Sequence, residues 1–209
     1  MIRTEDDARA YCANWCDSAA MANLEIFTQM LREENARQNL ISSRSLEEVW
    51  QRHIADSLQL LAHVPRGTSP WLDLGTGAGM PGLVLAIAQP QQMSIHLVES
   101  RKRRIAWLES VKDHFGLEKC VIHGARLENV ESFSAGAICA RAFAPLDKLL
   151  RLSTRFSTHD TCWLLPKGRS SAQELSDQPE KVRSMFHVEQ SLTDSDAGIV
   201  VGRGRPEIQ

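Results

Sequence analysis

The chain has no C-x-x-C pair, no long apolar run and no surplus of positive charge. Cys12, Cys16, Cys120, Cys139 and Cys162 are odd in number. They offer no zinc framework and are expected as reduced thiols of a cytoplasmic protein. No apolar stretch reaches the ~20 residues needed to cross a bilayer, and Met1-Ile2-Arg3-Thr4-Glu5-Asp6-Asp7 has no signal-peptide core. Neither a membrane nor a metal is therefore expected as a partner. The formal net charge is −2 over 209 residues, so any nucleic-acid contact must come from a local basic face. No internal repeat or low-complexity tract interrupts the sequence. What remains is ordinary for one globular domain, with 43% hydrophobic and 24% charged residues.

The most informative stretch is Trp71-Leu72-Asp73-Leu74-Gly75-Thr76-Gly77-Ala78-Gly79-Met80-Pro81-Gly82. Trp71 to Leu74 reads as the end of a buried strand. The glycines permit a tight turn and let a ligand approach bare backbone. Pro81 suits the first turn of a helix. Strand, glycine loop and helix start together make a holder for nucleotide-like ligands. Gly77 to Gly82 satisfies the G-x-G-x-x-G pattern of dinucleotide binding. The spacing Asp73-x-Gly75-x-Gly77 suits S-adenosylmethionine (SAM) instead. A carboxylate there attracts an ammonium and repels a pyrophosphate.

Around this stretch the pattern alternates. Leu24, Phe27, Met30 and Leu31 recur at helical spacing. Ser45-Leu46-Glu47-Glu48 reads as a capping box opening a second helix, with Leu46, Val49, Trp50, Ile54, Leu58 and Leu61 on its apolar face. Pro65 to Pro70 breaks the chain before the first strand. Strands are expected at 71–74, 95–98, 120–123, 137–140 and 161–165, with helices between them. Residues 175–182 read as a helix broken at Pro179, and 185–188 with 199–201 as a closing antiparallel pair. The expected fold is α/β, a doubly wound, mostly parallel seven-stranded sheet of Rossmann-like type. Residues 1–66 form a helical extension packed on a core at 67–209. Ligands bind such sheets at the carboxyl ends of the strands, where Asp73, Glu99, Gly124 to Glu128 and Arg141 all fall.

Glu99, about 20 residues past the loop at the end of the second strand, is placed to accept hydrogen bonds from a ribose. In Arg126-Leu127-Glu128, an apolar Leu127 and an acceptor on Glu128 could read an adenine edge. Arg101, Lys102, Arg103 and Arg104 crowd a helix start, where cations are mildly unfavourable; a phosphate backbone would explain them. Pro166-Lys167-Gly168-Arg169 adds two cations beside the same crevice. His53, Asp56 and Ser57 share one helix face and read as a polar seam packing the N-terminal helices against the glycine loop. Arg141 follows the fourth strand, a usual place for catalytic residues of methyltransferases. There the segment Ala140-Arg141-Ala142-Phe143-Ala144-Pro145 lacks the (Asp/Asn)-Pro-Pro-aromatic motif of amine methylation, and the chain has no Pro-Cys for carbon methylation. An acceptor with a free lone pair and no proton to lose, such as guanine N7, remains. Phe143 could stack on that base.

Arg52-His53-x-x-Asp56-Ser57, Asp73 to Gly82, Glu99-Ser100-x-x-Arg103, Arg126-x-Glu128 and Arg141-Ala142-Phe143-Ala144 occur in that order. Together they resemble the bacterial RsmG (GidB) family of small-subunit ribosomal RNA guanine-N7 methyltransferases. The resemblance runs from Asn39-Leu40 to Lys167-Gly168. It implies a SAM-dependent enzyme acting on one guanine of 16S rRNA, as naked RNA or in the small ribosomal subunit. It also implies cofactor contacts at Gly75, Met80, Leu127, Glu128 and Arg141. To these the loop and strand ends add Asp73, Gly77 and Glu99. Arg141 is the catalytic candidate; Arg101, Arg103, Lys167 and Arg169 are the RNA-binding candidates. A monomer is expected. Two departures fall on the RNA side: Pro166 stands where the family usually has leucine, and Asp196-Ala197-Gly198 where a basic residue is expected.

Overall fold

A computed structural model describes residues 1–208. Its centre is a seven-stranded sheet in the order β3-β2-β1-β4-β5-β7-β6. The strands are β1 (Trp71–Leu74), β2 (Ile95–Val98), β3 (Cys120–His123), β4 (Ala137–Cys139), β5 (Cys162–Lys167), β6 (Phe186–Gln190) and β7 (Gly198–Arg203). The first five pair in parallel, and β7 runs antiparallel between β5 and β6. The chain leaves β1 toward β2 and returns to β4 on its other side, so the switch in strand order lies at β1. Every side chain of β1 is buried, as a central parallel strand covered on both faces requires.

The helices are α1 (Glu5–Cys12), α2 (Ser18–Gln38), α3 (Ser43–Glu47), α4 (Asp56–Leu58), α5 (Gly82–Ala88), α6 (Lys102–Phe115), α7 (Leu146–Ser153), α8 (Ser171–Ser176) and α9 (Glu180–Arg183). On one sheet face Leu24, Phe27 and Leu31 of α2 join Trp50, Ile54 and Leu58, the apolar side of α5, and Trp107 and Leu108 of α6 in one cluster. The other face packs Leu72, Leu74, Ile138 and Trp163 against Leu146, Leu149 and Leu150 of α7 and Phe156. The N-terminal helices thus share the core of the sheet.

The expected second helix is the main correction. Helix α3 starts at Ser43, and Ser42 caps it by accepting from Ser45 N–H at 3.2 Å; Ser45 does not open the helix. The segment then breaks at Glu48 and resumes as a π-helical turn over Trp50–Ala55, then α4, then a 3-10 turn over Gln59–His63. Glu5 of α1 secures the π turn by accepting from Trp50 N–H at 3.0 Å and Gln51 N–H at 2.8 Å. Such turns recur where a helix is shaped for a site. Pro179 divides α8 from α9 as expected. Pro166 lies in β5 opposite Ile199, beyond the residues that β4 pairs with.

Candidate functional site

The glycine loop is organised from below. Gly75, Gly77 and Gly79 take φ of +64°, +59° and +101°, the left-handed region where only glycine is unstrained. Asp73 is wholly buried. One carboxylate oxygen accepts from the Thr76 hydroxyl at 2.5 Å and from Gly82 N–H at 2.9 Å. The other has no nitrogen or oxygen partner and lies beside the Cys139 thiol. Burial pushes the Asp73 carboxyl up to about 6, against the pull of Thr76, Gly82 and the Arg141 charge. This corrects the expectation that Asp73 faces a ligand's charge: its carboxylate is committed to the loop and to the start of α5. Trp107 pins the loop from above by donating its indole N–H to the Ala78 carbonyl at 2.9 Å.

Two clefts open at the carboxyl ends of the strands and adjoin at Phe143 and Ala144. The first, about 270 Å³, is lined by Gly75, Glu99, Ser100, Leu127, Glu128 and Phe143, among others. Glu99 follows β2, with one carboxylate oxygen accepting from Ser100 N–H at 2.7 Å and Arg101 N–H at 2.9 Å. Its other oxygen lies 3.6 Å from the Arg104 guanidinium. Leu127 is buried at the start of a 3-10 turn. A β-carbon at Gly75 would come within 2.6 Å of the Phe143 ring, so the ring rests directly on the bare glycine.

The second cleft, about 630 Å³, is larger, with Arg52, His53, Asp56, Arg141, Lys167 and Glu174 in its wall. Although it is the larger, the residues expected to hold a nucleoside line the smaller cleft. Arg141 reaches back to the π turn. It donates to the Arg52 carbonyl at 3.1 Å and to His53 Nδ1 at 2.8 Å, and lies 3.4 Å from Asp56 Oδ2. Burial, reinforced by the charges of Arg141 and Arg52, pushes His53 down to about 3. His53 is therefore neutral, accepts at Nδ1 and carries its proton on Nε2, which is buried without a partner. Asp56 also accepts from Gln59 Nε2 at 2.8 Å and the Thr193 hydroxyl at 2.6 Å. The seam expected from His53 and Asp56 thus exists, but it grips the Arg141 loop, not the glycine loop.

Of the expected cofactor residues, Gly75, Glu99, Leu127 and Glu128 come together in the first cleft, and Arg141 lines the second. Met80 is buried in the core beneath the loop, and Gly77 is buried with its backbone against Arg104; neither lines a cleft wall. The RNA candidates divide further. Lys167 is nearly buried, its ammonium donating to the Ala144 carbonyl at 2.7 Å and to Glu174 at 2.8 Å. Arg103 donates to the Arg37 carbonyl at the end of α2 at 2.7 Å. Both side chains thus also hold the fold, Lys167 within the wall of the second cleft and Arg103 on the exposed start of α6. Arg101 is exposed, and Arg169 is exposed in a pair with Asp196 at 2.8 Å. Asp196, where a basic residue was expected, is thus the partner of Arg169.

Sequence reasoning missed Thr76, Thr193 and Asp194. Thr76 sits inside the loop motif and was legible as a hydroxyl beside Asp73. Thr193 and Asp194 carry no motif; only the fold brings them to Asp56 and Arg52. Among the described residues no group of three His, Cys, Asp or Glu side chains could hold a metal ion, and no helix is long and apolar enough to cross a membrane.

The model of the GidB family, rRNA small subunit methyltransferase G, matches residues 20–199. A protein of Erythrobacter litoralis named ribosomal RNA small subunit methyltransferase G is 58% identical over 98% of this chain and 99% of its own length. One of the same name from Novosphingobium aromaticivorans is 51% identical over 96% of this chain and 88% of its own. Among solved structures, a SAM-dependent methyltransferase from Aquifex aeolicus superposes with a TM-score of 0.57 at 11% identity, over 85% of this chain and 98% of that one. A TehB-like SAM-dependent methyltransferase from Corynebacterium glutamicum gives 0.51 at 16% identity, over 71% and 87%. These two likenesses speak to the fold, which is the Rossmann-like methyltransferase fold. The chain belongs to the GidB family of small-subunit rRNA methyltransferases.

Proposed function

We propose that the protein transfers a methyl group from SAM to the N7 of one guanine in 16S rRNA. The observation that carries this reading is the junction of the two clefts at Phe143, where each imidazole or carboxylate of the second, His53, Asp56, Glu174 and Asp194, already faces an arginine or lysine. His53 is pushed down to about 3. Glu174 stands below the usual carboxylate range: burial raises it, but its hydrogen bonds with Lys167 and Ser170 outweigh that. A site built this way favours an acceptor with no proton to lose and works by alignment.

The first cleft fits SAM: a bare backbone at Gly75, where a side chain would run into the Phe143 ring, an acid just after β2, an apolar wall at Leu127 and an acceptor at Glu128. The bound cofactor supplies an electrophilic methyl: the guanine N7 lone pair forms the C–N bond as the C–S bond breaks and its electron pair stays on sulfur. Glu99 orients the ribose side and Leu127 with Glu128 the base side. Gly75 sets how close the ligand approaches. Asp73 and Gly77 shape the loop, and Met80 supports it from the core. Arg141 holds its loop, and with it Phe143, against the π turn, so that the guanine meets the methyl in line. We assign residues 1–66 the role of supporting that loop and 67–209 the role of the catalytic core. A monomer agrees with the exposed large apolar residues Ile26, Val121 and Val188, which lie on α2, β3 and β6; a cytoplasmic location is part of the same reading.

The test is labelled methyl transfer from SAM to small-subunit rRNA from an unmethylated strain, offered naked and as assembled subunits. Label recovered as 7-methylguanine supports the reading; transfer to neither substrate overturns it.

A further inference from the structure

The arginine cleft does not stop at its rim. Two hollows of about 470 and 330 Å³ continue from it across the N-terminal helices, and Arg52 lines all three. Arg44 lines both hollows, exposed, its guanidinium making no hydrogen bond or ion pair among the described residues. Arg169 lines the smaller one. Two carboxylates from the segment between β6 and β7 face these cations. Asp194 pairs with Arg52 at 2.9 Å and Asp196 with Arg169 at 2.8 Å, every partner at least a third exposed. Exposed pairs of this kind contribute little, so anions from solution can exchange with them. The same segment is tied to the residues behind Arg141: Gln51 donates to the Thr193 carbonyl at 3.0 Å, and Leu192 N–H donates to Gln59 at 2.8 Å.

By contrast, the cluster at the start of α6 is half committed. Arg103 holds the end of α2, and Arg104 faces Glu99. Arg101 and Lys102 remain, lining a separate hollow with Gln38 and Asn39 and neither cleft.

We propose that the Arg44–Arg52–Arg169 face receives the sugar–phosphate backbone flanking the target guanine. Asp194 and Asp196 hold Arg52 and Arg169 in place until phosphates replace them. The proposal rests on the rRNA reading and places the RNA on that site. In this arrangement the acidic residues at 194 and 196 tune affinity, and the chain's net charge of −2 is no obstacle to binding.

The experiment measures binding of unmethylated small-subunit rRNA to the full chain across a salt series, with binding of S-adenosylhomocysteine as a control. An Arg44→Gln/Arg169→Gln variant should bind rRNA about tenfold more weakly near 0.15 M salt, and its salt slope should flatten by roughly 1.5 to 2. Asp194→Asn/Asp196→Asn should bind several-fold more tightly, and all variants should bind S-adenosylhomocysteine as the unaltered protein does. The face is overturned if these variants bind rRNA like the unaltered protein while Arg101→Gln/Lys102→Gln loses the slope. The rRNA reading then stands. Failure of the unaltered protein to bind rRNA at any salt concentration would instead strike that reading.

Discussion

The two clefts on either side of Phe143 are built differently. The glycine-loop cleft draws its walls from consecutive strand ends, at 75, 99 and 127–128, and its shape is set by backbone. The arginine cleft is assembled from residues 52–56, 141, 167 and 193–194, and its shape is set by side-chain hydrogen bonds between distant segments. The first can be destroyed by adding atoms; the second comes apart when a partner is removed. On the function proposed above, the same difference separates binding the cofactor from aligning the acceptor.

The largest effect should come from filling the first cleft. Gly75→Val places a branched side chain at φ +64° against the Phe143 ring. Calorimetry should show cofactor affinity reduced by at least ~100-fold, the scale of ~3 kcal/mol, in a protein that stays folded. Arg141→Ala should act on the other side of the comparison. Methyl transfer should fall by about 100-fold, while cofactor affinity falls less than in Glu99→Ala. A parallel collapse of both would move Arg141 into the first cleft.

Glu99→Ala comes next. Losing a charge-assisted hydrogen bond of ~1.5–3 kcal/mol weakens cofactor and product binding roughly 10- to 100-fold. Unchanged calorimetric affinity would remove Glu99 from the ribose.

The difference in construction also explains what the sequence could show. Asp73 to Gly82, Glu99 and Leu127-Glu128 were legible because each is a local pattern at a strand end, and parallel β-α alternation brings strand ends together. The orientation of Asp73 was not legible. Whether a carboxylate points out or in depends on Thr76 and on the depth of β1. The break in the second helix was hidden because Leu46, Val49, Trp50 and Ile54 keep helical spacing through the π turn. The Glu5 carboxylate that secures this turn lies 45 residues earlier. Lys167 looked like a free cation because Glu174, its partner, carries no motif.

A smaller, pH-dependent effect separates the clefts without a ligand. His53 titrates near 3 when folded and near 6.5 when unfolded, so its contribution to stability is full above pH 6.5 and is lost as pH falls toward 3. Asp73 is raised to about 6 from 3.8; its contribution is full below pH 3.8 and is lost as pH rises through 6. Between pH 6 and 4 the two slopes oppose each other, each up to about 1.4 kcal/mol per pH unit. Denaturant unfolding at pH 6 and pH 4 should therefore show His53→Gln gaining stability relative to the unaltered protein as pH falls, and Asp73→Asn losing it. The same change in both variants would mean these groups do not titrate as their surroundings dictate.

Whether guanine N7 is the acceptor atom is tested by a small-subunit rRNA carrying 7-deazaguanine at the target position. That base keeps its Watson–Crick edge and has no N7 lone pair. The RNA should bind nearly as well as the natural substrate and take up no labelled methyl group from SAM. Methyl transfer to it would show that the acceptor is another atom and that alignment of guanine N7 is not what the arginine cleft provides.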